Sequence, residues 1–356
     1  MAEHKRVRRR FAHFAQTSVR LRPLRLDLDL SEHNKLAELP QGRSLMPRPF
    51  VFRPGDNSVD DIREWFDRPA LRTLVERFGG SWPASDNITG VVTKLQAFST
   101  IWDRRSGQIR LDLEQLDDDD ERIAGLSQLV EELGLVTPAA PEGGIYDWIL
   151  LLGGLATGCR ARMEYCAELL AERSIEVGRG LCLLGSFREL HSDELLAASS
   201  YTENAHTEAD LLRAMSDRVL PSSSSWDEEV EGDPVSSPRT ASMRAWRGGS
   251  VPLRLYASAS SDPGNRSANT ADTYLQFAND TALLPSSRLL LVTTHIYARY
   301  QHWDAVRTLG IPRKVIVETV GTPPAVSASQ FSPAWYLQEV RSAIRSAAAL
   351  LEAIDS

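Results

Sequence analysis

Trp148-Ile-Leu-Leu-Leu-Gly-Gly-Leu-Ala-Thr-Gly158 is the stretch on which the fold turns. It is a short, continuous apolar run that ends in Gly153-Gly154 and passes into Cys159 and Arg160. A bilayer span needs about 20 apolar residues, so this run is too short to cross one. An apolar run of this length, bounded by glycine, reads as a strand buried on both faces. Similar runs recur downstream: Gly180-Leu-Cys-Leu-Leu-Gly185, Arg288-Leu-Leu-Leu-Val-Thr-Thr294 and Val315-Ile-Val-Glu-Thr-Val320, with a further strand after Val251. Helical stretches separate them, at Arg160–Arg173, Ala209–Arg218, Thr270–Asn279 and Gln301–Leu309. The alternation predicts an α/β protein: a Rossmann-like open, mostly parallel sheet with helices on both faces.

Upstream the pattern is helical. Asp60-Asp-Ile-Arg-Glu-Trp-Phe66 opens one helix, and a second has Pro69 at its start and Gly79 at its stop. Ile88–Trp102 is a third, and Glu121–Leu133 carries Ile123, Leu126, Leu129, Val130 and Leu133 on one stripe. The acidic run Asp117–Asp120 reads as a solvated turn that charges the next helix N-terminus. Composition shifts to Pro, Ala and Gly over 138–144, which places a boundary there. The expected organisation is an N-terminal arm and helical cap over 1–141, then a ligand-binding domain over 142–356. Within the latter, 221–250 is rich in Ser, Asp, Glu, Pro and Gly and is expected as a long loop or lid, with Trp226 and Trp246 as its apolar residues. The Ala-rich helix from Ser332 to Ile354 is expected to close the core or to form a homodimer contact.

Bulk properties narrow the function. The chain has 356 residues, 42% of them hydrophobic, and a formal net charge of −8. The start is basic (Lys5, Arg6, Arg8, Arg9, Arg10), but no apolar segment follows it as a secretory signal requires. The net charge and the lack of an aromatic-basic pattern argue against nucleic acid. Cys159, Cys166 and Cys182 form no CxxC pair and have no His at ligand spacing, so no metal is expected. They read as small buried hydrophobes in a reducing, cytoplasmic setting.

In open α/β sheets, ligands sit beyond the carboxyl ends of the strands, so the strand exits carry the functional candidates. The first exit offers Gly153 and Gly154, whose backbone could approach an anion at the following helix start, with Arg160 and Arg162 in the next turn. It is neither a GxGxxG fingerprint nor a P-loop. The second exit offers Ser186, with Arg188 beside it. The third crowds Arg266, Ser267, Asn269, Thr270 and Asp272 where a helix begins, and a capping box accounts for part of that cluster. The fourth offers Thr293, Thr294, His295, Tyr297 and Arg299, and the fifth Glu318 with further hydroxyls.

The order of these motifs resembles the YdcF/SanA/ElyC family over roughly 146–322. The resemblance rests on Leu-Leu-Gly153-Gly154 followed by Arg, on Leu-Gly185-Ser186, on Ser267-Ala-Asn269-Thr270-Ala-Asp272, and on Val292-Thr-Thr294 followed by His295 and Arg299. It implies a Rossmann-like core with a polar pocket at the strand exits, and relatives linked to the bacterial envelope and, in one case, to S-adenosylmethionine. Asp272 and Thr273 stand where the family motif has Glu and Asn, and the His295–Arg299 spacing is one residue longer.

The resulting expectation is an enzyme acting by group transfer or hydrolysis on a nucleotide-like or other anionic small molecule. Arg160, Arg266 and Arg299 would hold the anion. His295 would be the acid/base, oriented by Glu318 or Asp272. The alternative is a non-catalytic protein that binds S-adenosylmethionine or a nucleotide. Neither reading includes a membrane.

Overall fold

A computed structural model describes residues 48–356, except 86, 104–115, 117–119, 203, 221, 223 and 324–330. The basic arm and most of the Asp117–Asp120 run lie outside the described residues.

Eight strands form one sheet. They are β1 (Phe50–Phe52), β2 (Gly144–Leu152), β3 (Ile175–Gly185), β4 (Asp227–Glu231), β5 (Ser242–Arg247), β6 (Leu253–Ala257), β7 (Arg288–Thr294) and β8 (Ile316–Thr322), in the spatial order β1-β8-β7-β2-β3-β6-β5-β4. From β8 to β6 every pairing is parallel. β1 closes one edge antiparallel, and the β4–β5 hairpin closes the other. The parallel strands run outward in both directions from β2, the first of them in the chain. The sheet therefore changes direction between β2 and β7, and Rossmann-like sheets open a crevice at that switch point.

The apolar runs explain this arrangement. Successive side chains of a strand point to opposite faces. In β2, Ile149 and Leu151 enter the core shared with α5 (Ala156–Ala171) and α7 (Glu208–Val219). Trp148, Leu150 and Leu152 enter the opposite core, shared with α8 (Thr270–Asp280), α9 (Ala298–Ala305) and the C-terminal helix α11 (Pro333–Asp355). A strand covered on both sides has no polar face, so it shows no alternation in the sequence.

The N-terminal helices α1 (Ser58–Phe66), α2 (Pro69–Arg77), α3 (Ile88–Phe98) and α4 (Leu126–Glu132) join that second core. Trp65 is edge-on to Trp303 at 5.5 Å and donates its indole N–H to the Leu133 carbonyl at 3.1 Å. The apolar stripe of α11 is buried, with Leu337, Val340, Ile344 and Leu350 all wholly enclosed. Of its two expected roles, the one visible within the chain is to close the core.

The segment 221–250 is corrected by the structure. It was expected as a loop or lid, and instead it carries β4 and β5. Its low apolar content suits an edge hairpin, where the acidic β4 (Asp-Glu-Glu-Val-Glu) faces solvent and charge discourages edge-to-edge pairing. Nor do its tryptophans cover the strand exits. Trp226 stacks under Arg247 and donates to Asp217, while Trp246 lines a groove beside Pro252 and Asp280.

Candidate functional site

A cleft of 690 Å³ lies off the carboxyl ends of β2 and β3. Its walls are the β2 exit (Gly153, Gly154), the β3 exit (Ser186 to Glu189), the start of α8 (Ser267 to Thr270), the tip of the β4–β5 hairpin (Pro238, Arg239) and Gln301 of α9. The volume suits a ligand of drug or nucleotide size. A second groove of 720 Å³ lies between β5, β6 and the end of α8. That one sits away from the strand exits, and its Arg244 is already paired with Asp280 at 3.0 Å.

Each wall has a local cause. The β3 exit is held by Glu208, the first residue of α7, which accepts from the Ser186 N–H at 3.0 Å and from Ser186 Oγ at 2.8 Å. Arg188 makes a two-pronged bridge to Glu194 of α6 (Ser192–Ala198), at 2.7 and 3.0 Å, and donates to the Gly154 carbonyl at 3.0 Å. Burial pushes the Glu194 carboxyl up, but the bonds and charge of Arg188 outweigh it and hold the group below its usual range. At the third wall, Asn269 caps α8 and exchanges bonds with Asp272 in a capping box. Gln301 donates to Thr270 and accepts from Thr293, which ties α9 to the start of α8.

The glycines of the β2 exit have a different role from the one expected. Gly153 N–H donates to Leu184 O, so it is not available to an anion. A Cβ on Gly153 would collide with the Glu208 carboxylate and the Leu184 carbonyl. A Cβ on Gly154 would meet the Arg162 guanidinium at 3.2 Å. The glycine pair thus makes room for one buried acid and one buried base. Arg162 is 1% exposed. It donates to the carbonyls of Leu152 and Gly153 and to Thr294 Oγ1, joining the ends of β2 and β7 across the switch point. Among the described residues, its recorded hydrogen-bond partners include no carboxylate.

Of the expected site residues, Gly153, Gly154, Ser186, Ser267, Asn269 and Thr270 line the cleft. Arg162, Thr293 and Thr294 stand directly behind it, as the bonds above place them. The others lie elsewhere. Arg160 pairs with Glu164 one turn along α5, half-exposed. Arg266 and Asp272 are bound to each other, and Asp272 also accepts from the Ser261 and Asn269 backbones. Tyr297 packs in a buried aromatic group with Tyr300 and Phe331. Arg299 is sandwiched between Phe50 and Trp303 and pairs with Asp61 of α1 at 3.2 Å, so it serves the N-terminal helices. Glu318 lies near the start of β8, not at its exit, where it accepts from Tyr146 Oη at 2.8 Å and pairs with Arg288 at 3.4 Å. Parallel strands rise about 3.3 Å per residue, which leaves it well short of the cleft.

His295 is also outside the cleft. Its Nδ1 donates to the Thr322 carbonyl at 3.2 Å and its ring packs against Phe331. Burial pushes its pKa down to about 4, only partly offset by that bond. A group neutral above about pH 4 and turned from the ligand site is a poor acid/base for it. Cys159 is no better as a nucleophile, since burial pushes its thiol up to about 12.

The histidines do give a pH prediction. His302 is also buried, and desolvation takes it down to about 3. Both folded values lie below the unfolded value of about 6.5, so the unfolded chain binds more protons below that pH. Stability is therefore expected to be fully present above about pH 6.5 and to fall steadily as pH drops towards 4. Urea unfolding at stepped pH measures this, and His295→Gln should flatten the limb between about pH 6.5 and 4.

The cleft contains residues that the sequence reading left out: Glu208, His191, Pro238, Arg239 and Gln301. Glu208 carried a misleading signal, because an acid at the first position of a helix is ordinary capping chemistry.

Comparison with known proteins adds kinship. A family model described as the Rv3785 N-terminal domain matches residues 53–134, the span of α1 to α4. Rv3785 of Mycobacterium tuberculosis H37Rv and Mb3814 of Mycobacterium bovis, both named as uncharacterized proteins, are each 30% identical to the chain over 342 residues. The match covers 86% of this chain and 94% of each relative. No solved structure matches. Among the described residues, no helix is long and apolar enough to cross a membrane.

Proposed function

This chain belongs to the Rv3785 family, and from its cleft we propose that it takes an anionic, nucleotide-like small molecule at the carboxyl ends of β2 and β3. One observation carries the reading. A buried carboxylate (Glu208), the exposed guanidinium of Arg239 and the start of α8 line one ligand-sized cleft beyond the carboxyl ends of β2 and β3, one strand over from the switch point. The exposed Arg239 guanidinium suits a phosphate or carboxylate, while Arg188 is held by Glu194 and shapes the wall. The carboxylate suits sugar hydroxyls. The first turn of α8 adds the positive end of its dipole. The same arrangement supports a divergent likeness to the YdcF/SanA/ElyC family, whose motif positions Gly153, Ser186, Ser267 and Asn269 share this cleft.

Group transfer or hydrolysis is the proposed chemistry, because no dinucleotide fingerprint precedes α5. A second reading, a non-catalytic protein that holds S-adenosylmethionine or a nucleotide, is favoured by the position of His295 outside the cleft. Titration calorimetry with adenine nucleotides and S-adenosylmethionine tests what the two share. Arg239 is exposed at the hairpin tip and donates to the Pro263 carbonyl, so its loss should not affect folding. Arg239→Ala is expected to weaken binding by about 1.5 kcal/mol, the low end for a bond to a charged group. Undiminished affinity would remove the hairpin from the site.

A further inference from the structure

We propose that Ser186 is a nucleophile activated by Glu208, and that the cleft cleaves carboxylic esters of small, hydroxylated anionic molecules. This deepens the ligand reading above and rests on it for the substrate class. Ser186 follows the last residue of β3, at a strand exit where a side chain is presented to the cleft. Its Oγ is 2.8 Å from Glu208 Oε2, within reach of proton transfer. Glu208 is fixed on the first turn of α7, 6% exposed, and Gly153 and Gly185 leave no side chain between it and the strand ends. The backbone N–H of Ser186 donates to the same oxygen, which fixes the carboxylate relative to the hydroxyl. Simple capping of the turn accounts for the N–H bond. A local turn, in which Oγ accepts from the Arg188 N–H at 3.3 Å, accounts for the hydroxyl's position; neither contact requires its proton to be shared with a buried carboxylate at the edge of a ligand-sized cleft.

The chemistry balances with groups in hand. Ser186 Oγ attacks the ester carbon and its proton passes to Glu208. The carbon–alkoxy bond breaks, and the leaving oxygen takes that proton. Water then gives a proton to Glu208 and adds its hydroxyl to the acyl carbon. The Oγ–acyl bond breaks, and Ser186 recovers the proton.

A fluorophosphonate probe tests the dyad, since a serine that attacks it expels fluoride and keeps a phosphonyl mass. Peptide mapping should find the label on Ser186 in the folded chain, at least about 100-fold faster than in the urea-unfolded chain, the scale of general-base assistance. Ser186→Ala should abolish it, and Glu208→Gln should slow it by a similar factor. No label on Ser186, equal rates folded and unfolded, or an undiminished rate in a folded Glu208→Gln chain each overturns the proposal. If Glu208→Gln does not fold, the folded-to-unfolded ratio of the unaltered chain decides. Nucleotide titration of Ser186→Ala separates the two readings: binding without labelling in the unaltered chain sinks the dyad alone, and labelling without binding sinks the ligand class alone.

Discussion

Arg299→Ala is expected to cost about 3 kcal/mol of folding stability and to leave ligand affinity in the cleft unchanged, the lower end of what breaking a buried ion pair costs. The guanidinium is 4% exposed, and Asp61 from α1 is its acidic partner. Burial pushes the Asp61 carboxyl up. The charge of Arg299, and the bonds from Trp303 and Arg299, outweigh that and hold it below its ordinary value. Removing the arginine takes away that support and also the cation stacked 3.8 Å from the Phe50 ring centre. The cost stays at the lower end because Asp61 is half-exposed and can recover water. Urea unfolding and nucleotide titration of the same variant check both halves. Unchanged stability, or lost binding, would return Arg299 to the ligand site.

Arg162→Leu is expected to have the larger effect on function. The change strands one buried carbonyl, Leu152 O, and one part-buried carbonyl, Gly153 O, and unsatisfied buried polar groups cost about 1–3 kcal/mol each. A loss of about 2–4 kcal/mol follows, the lower part of the range for two such groups because Gly153 O can recover water. The tie from β2 to Thr294 of β7 disappears with it, and the floor of the cleft at Gly153 and Gly154 loses its brace. Ligand affinity should fall about 100-fold, as for loss of a strong charge-assisted contact. Thr294→Val removes only one acceptor and should cost about 1 kcal/mol, the ordinary worth of a hydrogen bond. Equal effects from the two changes would contradict the brace. So would normal affinity in a folded Arg162→Leu chain.

These two arginines also mark what the sequence could and could not disclose. The strands were legible because parallel, doubly covered strands are written as local apolar runs, as in 148–152 and 288–292. From them the sheet class followed, and with it the general place of a ligand. The cleft's walls at Gly153, Ser186, Ser267 and Asn269 were legible for the same reason. Which polar groups face each other across the exits is long-range information. Arg299 looked like a ligand residue because it follows His295 near a strand exit, and its acid partner stands 238 positions upstream, in a helix. Glu318 looked like an exit because the apolar run around it is short, whereas pairing with β7 extends β8 to Thr322. Glu208 was hidden because its position is what helix capping alone would select. The hairpin was hidden by composition: an acidic edge strand such as β4 carries few of the apolar residues that betray a strand.

The central claim is that the cleft holds an anionic, nucleotide-like molecule. Native mass spectrometry of the gently purified chain, with a mixture of adenine nucleotides and S-adenosylmethionine added, tests it most directly. A one-to-one adduct is expected, weakened in Arg239→Ala and persisting in folded Arg299→Ala. An adduct lost in Arg299→Ala but untouched by Arg239→Ala, or no adduct with any member of the mixture, would contradict it.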